Sequence, residues 1–301
     1  MNPTPLVIAP GRQGPGELPA DAIARLEIGL RRRASGLLPG EHLTKGIGTG
    51  TELAQLRPYE AGDDVRQLDP AASARTGVAH VRLQVPERAV TTWLVLDISP
   101  SMAFGTARRL KSDVAEGVAE VIARLAVRRG GRIAVATAGS QQSRLLPPSG
   151  GRGALAAVRA LVRDGVVPDR AADVRGLAGA LTRAARLATG RGLIVIVSDF
   201  RDDGWVSPLR AVAARHSVLA VEITDPREQA LPDAGLLVLV DPETGREVEA
   251  DTGSQRLRDA FATAEAQRGA GVAAQLRRAG ADHVILSTAT DWLRELGRGT
   301  R

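Results

Sequence analysis

The sequence predicts an α/β protein built on a doubly wound, mostly parallel sheet with helices on both faces, plus an N-terminal helical and loop extension. Three observations lead there. From Trp93 onward, apolar runs of strand length alternate with longer stretches of helical spacing. The runs Leu94–Leu96 and Leu193–Val197 read as buried central strands. Both lead into an acidic residue, Asp97 and, after Ser198, Asp199, and in open α/β sheets ligands gather beyond the C-terminal ends of the strands.

The elements follow in order. Residues 1–17, rich in Pro and Gly, read as a flexible tail. Residues 18–88 form an accessory segment expected to pack on the main domain, residues 89–301. In the accessory segment, Ile23, Leu26, Leu30, Ala34 and Leu37 recur at helical spacing, and Gly40, Gly46, Gly48 and Gly50 mark a loop. Residues 53–69 are dense in charge around a Gly62-Asp63-Asp64 turn, and Val81, Leu83 and Val85 alternate as in a half-exposed strand.

In the main domain, Leu110, Val114, Val118, Val121 and Leu125 mark a long helix. Ile133–Ala138 is a strand, and Leu145-Leu146 before Pro147-Pro148 an edge strand. Helices follow at 155–162 and 174–185, a strand at Leu193–Val197, a helix at 209–215 and a strand at Val218–Ile223. Leu236–Val240 and Glu247–Ala250 flank Pro242-Glu243-Thr244-Gly245, a hairpin signature. A long helix after Ser254, a strand at His283–Leu286 and a short helix near Trp292 complete the chain.

Composition narrows the function. The 301 residues carry a net charge of +6, with basic residues scattered through helical stretches, which describes solvated helix faces better than a nucleic-acid surface. Aromatic residues make up 2%, too few for a base-stacking platform. The absence of cysteine excludes thiolate catalysis and cysteine-ligated metal. No apolar run approaches the ~20 residues that span a bilayer, and no secretory signal is visible at the N-terminus, so a cytoplasmic protein is expected.

The chemistry concentrates in Asp97-Ile98-Ser99-Pro100-Ser101 at the end of the first buried strand. In an extended segment residues i, i+2 and i+4 share a side, so Asp97, Ser99 and Ser101 converge on one point. Oxygen donors suit a hard divalent cation: magnesium, with manganese or calcium as alternatives. In a doubly wound sheet the strand that leads to Asp199 can lie beside this one, and both carboxylates would then face one crevice. The competing reading is a plain turn whose Asp and Ser side chains bond local amides.

The stretch resembles the metal-ion-dependent adhesion site of von Willebrand factor type A domains. Arg57-Pro58-Tyr59, Gly62 to Asp69, Ser73 to Thr76, Leu96 to Met102, Val197 to Phe200, Asp225 to Glu228 and Leu231-Pro232-Asp233 together resemble the bacterial domain of unknown function 58 family, from about Gly36 to Trp292. That resemblance implies a von Willebrand type A-like fold without known enzymatic activity. It also implies work beside a MoxR-type AAA ATPase in maturing or remodelling other proteins. Two positions depart from the pattern. Ala172, before Asp173, stands where a threonine completes the metal shell, leaving Asp173 as a weaker ligand; Pro70 replaces a tryptophan after Asp69.

The reading is therefore a metal-assisted protein-interaction module, with Asp97, Ser99, Ser101 and Asp199 as ligands and Asp173 as a weaker one. Its partner is a MoxR-type AAA ATPase or that ATPase's client. A metal-dependent hydrolase using Asp97, Asp173 and Asp199 is the alternative, and a basic nucleic-acid-binding protein the second. The Asp63-Asp64 pair is read as structural, with Arg57, Arg66 and Arg75 as partners, and the histidines His42, His80, His216 and His283 show no ligand spacing.

Overall fold

The computed structural model describes residues 11–24, 26, 52–85, 91–166 and 176–299. The chain divides into two compact units, Met1–Leu37 with Val90–Arg301 and, separately, Leu38–Ala89.

In the small unit, β1 (Glu52–Pro58) pairs antiparallel with β2 (His80–Val85). Between them runs a short helix, α1 (Pro70–Thr76). Asp69 caps it, accepting from the Ala72 amide at 2.9 Å, and Gly77, at φ 71°, ends it. Neither β1 nor α1 is anticipated from the sequence, where charge density masks both. Pro70 sits in the first helical turn, where its missing N–H costs no hydrogen bond, so proline is well suited to the position.

The acidic turn is structural, with two corrections to its partners. Arg57 Nη2 meets Asp63 Oδ1 at 2.6 Å, and Asp63 Oδ2 accepts from the Glu60 amide at 2.9 Å. Asp64 is held by the Arg66 backbone amide at 3.0 Å, not by its guanidinium, and Arg75 pairs with neither carboxylate. The short Asp64 side chain reaches an amide two residues on more readily than a distant guanidinium.

The large unit carries a six-stranded sheet. Its strands are β3 (Thr91–Asp97), β4 (Arg132–Ala138), β5 (Leu145–Gly150), β6 (Leu193–Ser198), β7 (Ser217–Thr224) and β10 (Asp282–Ser287). Their order is β10-β7-β6-β3-β4-β5, parallel throughout except for β5 at the edge. The central strands bear β-branched and aliphatic side chains on both faces, as a sheet covered twice requires.

Alternate residues enter two cores. Leu94, Leu96, Val195, Val197 and Val221 pack in one, with Val114, Val118 and Val121 of α2 (Lys111–Val127) and Val158 of α3 (Gly151–Arg163). Trp93, Val95, Ile194, Ile196 and Ala220 pack in the other. There they meet Leu177 and Leu181 of α4 (Gly176–Leu187), Leu209 of α5 (Val206–Ala213) and Leu276 of the long helix Gln255–Arg278. A hairpin of β8 (Leu236–Val240) and β9 (Glu247–Asp251) forms its own two-stranded sheet.

The N-terminal stretch differs from expectation. Ile23 and Leu26 lie in the first core, so this part belongs with the large unit. Residues 11–17 are tied down. Arg12 reaches Glu116 at 2.8 Å, and the Gly14 amide donates to Asp113 at 2.8 Å. Pro15 O accepts from Trp292 Nε1 at 3.0 Å. Of the helix expected near 20–38, only residues 20–24 and 26 are described; the glycine-rich loop, Ala172 and Asp173 lie outside the described residues. No helix among the described residues is long and apolar enough to cross a membrane.

Asp225, fully buried just beyond β7, fastens the end of the sheet that carries the candidate site. Its carboxylate accepts from the Thr106 amide at 2.8 Å, from the Thr106 and Thr288 hydroxyls and, at 2.9 Å, from the Arg227 amide. Burial alone would raise this carboxyl, but the surrounding donors hold it below the usual carboxylate range. Asp225→Ala is expected to lower the unfolding free energy by about 3 kcal/mol, because buried donors lose an ionised acceptor. Urea denaturation of the two proteins measures it, and a loss well under 1 kcal/mol, on the order of a surface change, would remove this fastening role.

Candidate functional site

The parallel register places the tips of β3 and β6 side by side, Leu96 opposite Val197. Asp97 and Asp199 therefore meet in one crevice, both buried, and each acts electrostatically on the other. This is the juxtaposition the sequence predicts. The path to it differs. Ser99 is extended, but Pro100–Ala103 forms one turn of 3-10 helix, opened by Pro100. That turn curls Ser101 back beside Ser99, the two hydroxyl oxygens lying 3.1 Å apart. Convergence of the three residues comes from this turn and not from a straight extended segment.

Close packing sets the loop. Gly139, just past β4, has φ 78°, and a Cβ there would stand 2.5 Å from Ser99 Cβ. Only glycine meets both demands. On the other side Phe200 adopts φ 52°, a left-handed conformation costing about 1 kcal/mol or more for a non-glycine residue. Its ring stacks edge-on to Trp205 with centroids 5.2 Å apart, and its amide donates to Ser198 Oγ at 3.0 Å. Ser198 Oγ in turn donates to Asp97 Oδ2 at 2.6 Å, while Asp97 Oδ1 accepts from the Ser99 amide at 2.9 Å.

The two carboxylates have different electrostatic fates. Lys111, 0% exposed, places its Nζ 2.7 Å from Asp199 Oδ2 and 2.6 Å from Glu228 Oε1. Burial would lower the lysine, but the two carboxylates outweigh it and hold the ammonium above its ordinary value. Burial would likewise raise Asp199, but Lys111 and Arg201 outweigh it and hold the carboxyl below the usual range. Arg201 continues the network to Glu228 at 3.2 Å and Glu265 at 3.1 Å. Asp97 has no cationic partner among the described residues. Burial, then the negative charge of Asp199, push it up to about 7 against the pull of the Ser198 and Ser99 hydrogen bonds.

A further carboxylate arrives from the hairpin. Glu243 Oε1 accepts from the Ser101 amide at 3.0 Å. Burial raises the Glu243 carboxyl, with Asp202 and Asp199 adding repulsion against the Ser101 bonds. In the sequence Glu243 is visible only as part of a hairpin signature.

Lys111 is absent from the sequence reading, yet a signal exists. Of 40 basic residues only Lys45 and Lys111 are lysines. In so arginine-rich a chain, a lysine marks a place where a compact ammonium is needed and a broad guanidinium does not fit.

The donors fit a hard cation in their chemistry. All are oxygen, two are hydroxyls in contact, and the buried Asp97 carboxyl has no cationic partner among the described residues. Asp199 is a poorer ligand than expected, since Lys111 takes one oxygen and the Arg201 amide approaches the other at 3.2 Å. Among the described residues no group of three or more His, Cys, Asp or Glu is disposed to hold a metal ion. The described histidines hydrogen bond to none of these residues: His80 Nδ1 lies 2.7 Å from Val78 O and His283 Nε2 2.9 Å from Glu222, while His216 is buried.

Residues 55–271 match the family described as protein of unknown function DUF58. The chain is 40% identical over 284 residues to uncharacterized protein Rv1480 of Mycobacterium tuberculosis, covering 93% of this chain and 88% of the relative. Uncharacterized protein Mb1516 of Mycobacterium bovis matches with the same figures. Among solved structures, the chain is similar to the conserved hypothetical protein BatB from Bacteroides thetaiotaomicron. The TM-score is 0.45 at 15% identity, over 70% of this chain and 96% of that one. The VWA domain of SpRpn10 matches with a TM-score of 0.38 at 12% identity, over 69% and 93%.

Two outcomes follow from the charge arrangement. Lys111→Met removes the contacting ammonium from buried Asp199 and one of two cationic partners from half-buried Glu228, and is expected to cost about 3–5 kcal/mol by urea denaturation, with Lys111→Arg failing to restore stability because a broad guanidinium replaces a compact, fully buried ammonium. In chelator-treated protein, folded Asp97 holds its proton more tightly than the unfolded chain does. Stability from this group is therefore present at acid pH and is lost as pH rises from about 4 to about 7, by no more than about 4 kcal/mol. Asp97→Asn should remove that contribution, so comparing unfolding of both proteins at pH 5 and pH 8 checks the sign.

Proposed function

The chain belongs to the DUF58 family, and from that premise we propose that it is a non-enzymatic protein-interaction module whose docking point is the crevice at Asp97. One observation carries this reading: Asp97 is a buried carboxylate without a cationic partner, set beside two touching hydroxyls. A buried carboxyl without a counter-charge keeps its proton at a cost to ionisation, and a hard cation would take the place of that proton.

In this reading Asp97, Ser99 and Ser101 hold magnesium, or manganese or calcium in its place. Asp199 stands behind them, engaged by Lys111. The bound ion supplies a Lewis-acidic point that favours an acidic side chain on a partner protein. The Ser101 amide offers a donor to the same carboxylate, as it does now to Glu243. Gly139 and Phe200 hold the loops so that these groups are set in advance. The partner, following the family resemblance, is a MoxR-type AAA ATPase or its client in protein maturation or remodelling.

The non-enzymatic part is supported by what surrounds the hydroxyls. Among the described residues Ser99 and Ser101 contact each other and no imidazole, and the ammonium of Lys111 is committed to two carboxylates. A serine nucleophile needs an adjacent base.

Calorimetric titration with magnesium tests the site: binding is expected for the wild type and at least about tenfold weaker for Asp97→Asn. Affinity capture of a MoxR-type ATPase, with magnesium and with chelator, tests the partner. A wild type that shows no heat of binding with any of the three cations would end the metal reading, and capture unchanged by chelator would end the metal-dependent docking.

A further inference from the structure

The hairpin β8–β9 is attached at two places. At its base the Thr252 hydroxyl donates to Gly235 O at 2.7 Å and accepts from the Ala234 amide at 3.2 Å. Arg258 braces that corner through Asp233 at 3.3 Å. At its tip Glu243 reaches the Ser101 amide, 142 residues away in the chain. Between base and tip one face of β8 is exposed, with Leu236, Val238 and Val240 facing solvent, while Leu237 and Leu239 on the other face are half-buried. An isolated two-stranded hairpin is marginal in water, so its position depends on its attachments.

The tip is built to present one side chain. Asp241 organises the turn: its carboxylate accepts from the Glu243 amide at 2.9 Å and from the Thr244 hydroxyl at 2.6 Å. Its carbonyl accepts from the Gly245 amide at 2.7 Å, and Gly245 takes φ 70°. These local bonds fix the loop irrespective of the crevice. They leave the half-buried Glu243 as the side chain of the turn that bonds to the Ser101 amide.

We propose that Glu243 is an internal ligand of the Asp97–Ser101 crevice and that hairpin 236–251 is a latch, which an acidic segment of the partner must displace before it can dock. The regulation rests on the docking reading above. The covering carboxylate, attached to the same chain, competes at a high effective concentration, so an incoming segment pays for latch opening in apparent affinity. No residue of the hairpin belongs to either buried core, so a swing about the Thr252 corner leaves both cores intact.

The test uses the full chain and a fluorescent peptide of residues 240–246, Val-Asp-Pro-Glu-Thr-Gly-Arg, whose binding is followed by anisotropy with magnesium and with chelator. Glu243→Ala, with its crevice uncovered, should bind the peptide at least about tenfold more tightly than the wild type, and a peptide with glutamine at the glutamate position should bind to neither. In hydrogen exchange, Glu243→Ala should speed exchange of the β8–β9 ladder and of the Ser101 amide while leaving β3, β6 and β7 unchanged. Glu247→Ala on the exposed strand should do neither. Equal peptide affinity for wild type and variant, no binding to either, or a hairpin whose exchange ignores Glu243 would each overturn the latch. Magnesium dependence is scored separately: a wild type that binds no cation but keeps the difference between the two proteins loses the metal reading and retains the latch.

Discussion

The ammonium of Lys111, closed off from water between Asp199 and Glu228, is the constraint on which the rest of the molecule turns. A charge at 0% exposure is tolerable only with its counter-charges in contact, so the first turn of α2, the tip of β6 and the loop after β7 must meet at one point. That requirement aligns the sheet's C-terminal edge. It also divides the labour between the two strand-end aspartates. Asp199 is neutralised and becomes structural, while Asp97, with no cationic partner among the described residues, is left with a carboxyl that burial and Asp199 push up to about 7.

The signature that runs from Asp225 to Glu228 acquires a physical account from the same point. Asp225 gathers Thr106 and Thr288 with the following turn, and Glu228 caps back on the Asp225 amide at 3.2 Å with its other oxygen on Lys111. Four consecutive residues thus tie three segments of chain to the edge where the crevice lies. Gly139 and Phe200 serve the same end from the backbone side. One lets a neighbouring loop press against Ser99, and the other accepts a left-handed conformation so that its ring can pack on Trp205. Strain of this kind gathers where geometry has to be held.

The crevice is also covered. Its rim donor, the Ser101 amide, is taken by a carboxylate from a hairpin with little packing of its own. A rigid floor under a loosely held lid is a common division in binding proteins, since the least stable segments are the ones able to move.

Much of this was legible in the chain of letters. Alternating apolar runs announced the parallel sheet and its two cores because burial on two faces is written at short period, in residues next to one another. Asp97 and Asp199 were found because strand ends are local features and sheet geometry sends neighbouring ends to one edge. The short strand and helix at 52–76 were hidden by charged side chains that say little about backbone pairing. The pairings of Lys111, Glu228 and Glu243 were beyond reach for another reason, even where the residue itself stood out. Their partners lie 88, 117 and 142 residues away, and no periodic pattern encodes which distant charge will meet which. The sequence by itself determined the architecture and the tips of the strands. Only the tertiary structure decided which carboxylate was neutralised, which was left without a cationic partner among the described residues, and which one reached the Ser101 amide, because charge balance among buried groups is a sum over side chains that only folding brings together.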